Sequence, residues 1–68
     1  MKYQIIIDPT AQGSVELARQ LSTVGDVDMP TANQIIVQGT DNAVHHITDE
    51  FPQVVMKVEQ CHERHHRS

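Results

Sequence analysis

Asn42-Ala43-Val44-His45-His46-Ile47-Thr48-Asp49-Glu50-Phe51-Pro52-Gln53-Val54-Val55-Met56-Lys57-Val58-Glu59 is the stretch on which the fold of this 68-residue chain turns. Its hydrophobic period changes halfway along. Val44, Ile47 and Phe51 recur at i, i+3 and i+7, which predicts a helix over 42–50 with one apolar stripe. His45, His46, Asp49 and Glu50 fall off that stripe. Pro52 has no amide hydrogen and disfavours helix in the residue before it, so the helix ends there. Val54, Met56 and Val58 then alternate with Val55, Lys57 and Glu59, which predicts a strand over 54–59. A helix that turns back into a strand needs a sheet to join, so the rest of the chain has to supply one.

It does. Tyr3, Ile5 and Ile7 alternate with Lys2, Gln4 and Ile6, and three consecutive isoleucines favour the pleated state, so residues 2–8 read as a strand. Asp8-Pro9-Thr10 stops it. Residues 10–24 read as a helix with a weak first turn. Gly13 lies early, so the regular part begins with Ser14 as N-cap. Leu17, Leu21 and Val24 form its apolar row, flanked by Val15 and Ala18. Gly25 is the expected C-terminal stop. Residues 27–29 and 34–38 read as a hairpin with a loop of about four residues, 30–33, in which Asn33 is able to adopt a left-handed conformation. Pro30 marks the first arm as a sheet edge or ends it. Ile35 and Val37 lie opposite Gln34, Ile36 and Gln38. Gly39-Thr40-Asp41-Asn42 is a turn and cap.

The order is strand, helix, strand, strand, helix, strand. In so short a chain this predicts an α+β, ferredoxin-like βαββαβ domain over residues 1–59, followed by a polar tail over 60–68. The sheet is four-stranded and antiparallel, with both helices on one face. Right-handed crossovers put the first and third strands in the centre. The other sheet face is left open, and Gln4, Ile6, Gln34, Ile36, Gln38, Val55, Lys57 and Glu59 are expected to line it. Ile6, Ile36, Val55 and Lys57 are the candidates there for holding a partner.

Composition narrows the function classes. A domain this small buries only about 60% of its unfolded surface. With one Tyr, one Phe and no Trp, the core rests on aliphatic side chains and is thin. A deep substrate pocket is not expected, so no enzymatic activity and no cofactor are assigned. The net charge is −4, and no Lys/Arg run interleaves with aromatics, so nucleic acid is not an expected partner. The apolar run at 5–7 is too short for a signal peptide or a membrane span, so the expectation is a cytoplasmic protein with no membrane partner. The single cysteine, Cys61, allows no internal disulfide. The oligomeric state is left open.

The tail is the other candidate site. It carries Cys61, His62, Glu63, Arg64, His65, His66, Arg67 and Ser68. It becomes cationic below about pH 6.5, where imidazole protonates. Cys61, His62, His65 and His66 are metal-ligating types, and on a helix 61/65 and 62/66 would share faces. Their spacing matches no structural zinc signature, and a terminal tail lacks the outer groups that orient ligands, so metal is the alternative reading. His45 and His46 project about 100° apart on a helix and do not chelate as a pair. Cys61 beside His62 is no nucleophile–base pair, since strand neighbours face opposite ways. Asp26 and Asp28 flank the hairpin and suit either solubilising charge or a partner's helix N-terminus.

Two family resemblances follow from these segments. Tyr3 to Ile7 as the opening strand, with Val44-His45-His46-Ile47 and Pro52-Gln53-Val54-Val55-Met56-Lys57-Val58-Glu59, resembles the subtilisin-propeptide-like inhibitors. Their closing helix leads through a turn to a β-branched strand ending in Val-Glu and a short polar tail. The resemblance implies an inhibitor of a subtilisin-type serine protease. Its open sheet face would pack on two protease helices. Its tail would lie product-like in the cleft, with Ser68 nearest the catalytic serine. Ser14 to Val27 resembles the first helix and turn of heavy-metal-associated domains. Those domains bind metal through two cysteines around that helix. Residues 8–14 here hold none, so a metal-handling relative would have to use the tail. A third possibility is a small acidic interaction module, such as a phage or accessory protein, that blocks a partner.

Overall fold

A computed structural model describes residues 1–61. The elements are β1 (Lys2–Ile7), α1 (Ser14–Ser22), β2 (Asp26–Thr31), β3 (Gln34–Gln38), α2 (Asp41–Asp49) and β4 (Val55–Cys61). The strands form one sheet in the order β2-β3-β1-β4, with every neighbouring pair antiparallel. This is the ferredoxin-like layout, with β1 and β3 in the centre as the crossover rule requires.

Period-2 alternation sorts the two faces. Tyr3, Ile5 and Ile7 of β1 are buried, as are Ile35 and Val37 of β3. Leu17 and Leu21 of α1, Val44 and Ile47 of α2, and Val54 close over them. Each of these side chains contributes about 1.5–3 kcal/mol by leaving water. Thr48 is also buried, and its hydroxyl donates to the His45 carbonyl one turn back at 3.2 Å. That bond satisfies a polar group that would otherwise cost stability in the core.

The helix ends differ from expectation. Gly13, not Ser14, is the N-cap of α1, with φ at +102° and no side-chain cap bond. It is the only described residue with a left-handed φ. At the other end α1 stops at Ser22, and the Ser22 and Thr23 hydroxyls donate to the Arg19 and Gln20 carbonyls at 2.6 Å. Gly25 is therefore not a left-handed helix stop. A Cβ on Gly25 would lie 1.8 Å from the Gln38 carbonyl oxygen, so glycine is needed for β2 to start against the end of β3. In α2, Thr40 is the N-cap and its hydroxyl accepts from the Ala43 amide at 3.4 Å. At the end of β1, Asp8 accepts from the Thr10 hydroxyl at 2.6 Å and from its amide at 3.0 Å, which holds its carboxyl below the usual range.

The hairpin is tighter than expected. Thr31 pairs with Gln34, so the connection is Ala32-Asn33 alone, and β2 runs through Pro30. Neither central residue has positive φ, which excludes the primed turns that match strand twist. A register shift between Asp28 and Thr31 adds one residue to β2 instead. Such a bulge increases local twist, and it accommodates Pro30 on an edge strand.

Candidate functional site: the open sheet face

Both helices pack against one side of the sheet, and the register builds the other side row by row. Asp26 of β2, Gln38 of β3, Lys2 of β1 and Cys61 of β4 are cross-strand partners in the first row. Asp28, Ile36, Gln4 and Glu59 make the second. Thr31, Gln34, Ile6 and Lys57 make the third. Ile6 and Ile36 are half-buried on the two central strands of this grid. Lys57 Nζ lies 3.2 Å from Glu59 on the same strand. A groove of about 190 Å³ runs between Lys2, Asp26, Asp28, Ile36 and Gln38.

Ile6, Ile36 and Lys57 thus come together on the open face as expected. Val55 does not. The β1–β4 register shifts between Ile6 and Ile7, because Met56 is an extra residue on β4. The bulge turns Val55 back opposite Ile7, on the helix side, where it packs against the core with Val58. Met56, expected on the core side, is 71% exposed. The carboxylates of Asp26 and Asp28 were not expected here, because the register and extent of β2 were not legible. The face is consequently more acidic on its β2 side than the sequence reading implied.

β4 runs through Gln60 and Cys61, two residues beyond the expected end of the domain. Cys61 is half-buried at the edge of the first row. The remaining tail candidates, His62, Glu63, Arg64, His65, His66, Arg67 and Ser68, lie outside the described residues. Among the described residues no group of three or more His, Cys, Asp or Glu is placed to hold a metal ion. Nor is any described helix long and apolar enough to cross a membrane.

A second cluster ties the sheet to α2. The Tyr3 hydroxyl donates to Asp41 Oδ1 at 2.6 Å, and Met1 Sδ lies 3.3 Å away. His45 Nε2 lies 3.2 Å from the same Asp41 oxygen, and its ring meets Tyr3 edge-on at 5.7 Å. The bond to Asp41, then burial, then the Asp41 charge push the Tyr3 pKa up to about 12. A buried tyrosine needs a partner for its hydroxyl. An acid in the first turn of α2 supplies it where the helix dipole also favours negative charge. The signal was in the sequence: the one tyrosine falls on the buried face of β1.

Two further grooves are open and shallow. One, of about 320 Å³, lies beside Gly13 and Phe51, and the other, of about 300 Å³, beside Pro9, Val15 and Met29. Neither gathers a nucleophile with a base. No family model, curated protein or solved structure matches the chain.

Proposed function

We propose that this is a non-catalytic domain that binds a protein partner through the open face of its sheet. The observation that carries the reading is the pair Ile6 and Ile36, half-buried on a face that neither helix covers and framed by charged residues on both outer strands. An apolar centre with a polar rim is the usual anatomy of a protein-binding patch. In its sharpest form, the reading makes the protein a propeptide-like inhibitor of a subtilisin-type serine protease. β4 ends at Cys61, in the first row of the face, which is where the tail begins. The tail pairs its backbone with the cleft, a strand-addition mode. The face supplies the area that holds it there, and tethering raises the tail's effective concentration.

The test is titration into subtilisin with a chromogenic peptide substrate, for the full chain and for a chain ending at Cys61. The reading predicts inhibition at micromolar protein that weakens on removal of residues 62–68. No inhibition by the full chain overturns the protease reading, and inhibition unchanged by the deletion overturns the role of the tail.

A further inference from the structure

Among the described residues the sheet has two edges, β2 and β4, and each presents backbone groups without a strand partner on its outer side. They differ in what they would meet if a second copy of the chain added to them. On β2, antiparallel self-pairing about Val27 sets Asp26 of one copy against Asp28 of the other, twice. Like charges directly opposite are destabilising. Pro30 also removes a donor from that edge, and the bulge between Asp28 and Thr31 bends it. β2 is protected against its own kind.

β4 differs. It too carries a bulge, at Met56, but from Lys57 to Cys61 its pairing with β1 is regular. It has no proline, and antiparallel self-pairing about Val58 sets Lys57 of one copy against Glu59 of the other, twice and on one face. The two side chains already stand 3.2 Å apart on that face within one chain. The residues directly opposite them on β1 are Ile6 and Gln4, both uncharged. Met56, exposed on the same strand, adds apolar surface for a neighbour to cover.

We infer that β4 is a self-association edge: two copies pair antiparallel about Val58, joining their four-stranded sheets into one continuous sheet. Opposite-charge pairs at Lys57 and Glu59 set the register. The inference rests on the edge of the sheet; Lys57 and Glu59 also border the open face, so its test reads association and not inhibition.

The test is sedimentation velocity on the full chain over a concentration series at low salt. The wild type is expected to dimerise, and added salt to weaken the dimer. Lys57→Glu and Glu59→Lys each convert two opposite-charge pairs into two like-charge pairs and are expected to weaken association about tenfold. Both side chains are more than half exposed, so the fold should survive, and far-UV circular dichroism checks this. The decisive arm mixes the two single variants, because each then meets the opposite charge and dimers return. The double variant K57E/E59K restores self-association for the same reason, and it serves if a single variant fails to fold. A wild type that stays monomeric over its soluble range overturns the inference. So does a dimer indifferent to both single variants, or single variants that neither mixing nor the double exchange rescues.

Discussion

Tyr3 is the residue whose behaviour is most sharply specified. It is the only tyrosine, and the chain has no tryptophan, so phenolate absorbance reports on it alone. The folded-state pKa of about 12 stands above the ordinary 10 because the hydroxyl is engaged by Asp41 and buried. The sign follows. Stabilisation by the neutral hydroxyl is complete below pH 10 and is lost as pH rises towards 12. A spectroscopic titration should give a midpoint near 12 in buffer and near 10 in denaturant, and Asp41→Ala should lower the folded value. A folded midpoint near 10 would show that the Tyr3–Asp41 bond is absent. Gly25 makes the second residue-scale prediction. With no room for a Cβ beside Gln38, Gly25→Ala should destabilise by about 1–3 kcal/mol, the usual cost of forced overpacking. A denaturant midpoint equal to wild type would contradict that close approach. Reading the sequence identified Gly25 as special for the wrong reason. A glycine after an apolar row suggests a helix stop, and only the strand pairing reveals that a neighbouring backbone excludes the side chain.

At the scale of elements, the strands that keep strict alternation were legible and the bulged ones were not. β1 and β3 bury Tyr3, Ile5, Ile7, Ile35 and Val37 as their period requires. β4 was misread at Val55 because one extra residue turns the strand residue before it to the opposite face. A run such as Val54-Val55-Met56 is apolar throughout and carries no mark of where the extra residue falls. The hairpin was misread for a related reason, since Pro30 suggested a turn where a bulge accommodates it. The bulge makes a discriminating prediction. Val55→Asp places a charge against the core and should cost about 1–3 kcal/mol, whereas Met56→Asp, on an exposed site, should stay within about 0.5 kcal/mol of wild type. Regular alternation over 54–59 demands the opposite order, so thermal melts of the two variants decide between them.

For the whole molecule, the ferredoxin-like order followed from element count and spacing, because so short a chain leaves few ways to bury both helices on one sheet. The acidic side of the open face did not follow, since it depends on the register of β2. A core of this size leaves little in reserve. Ile5→Ala, at the centre of the sheet, should cost about 2–5 kcal/mol, enough to leave a domain of marginal stability largely unfolded at ambient temperature. A cooperative melt that persists near the wild-type temperature would mean that Ile5 is not central to packing. Ile6, one residue on, faces outward, and its loss should spare the fold and remove the partner. The measurement that tests the central claim most directly is therefore the subtilisin titration repeated with the double variant Ile6→Asp/Ile36→Asp. The account predicts that wild type inhibits and that the double variant, with an unchanged melting curve, inhibits at least tenfold less, as expected when about 1.4 kcal/mol or more of face contact is lost. Equal inhibition by the two proteins, or none by either, would contradict it.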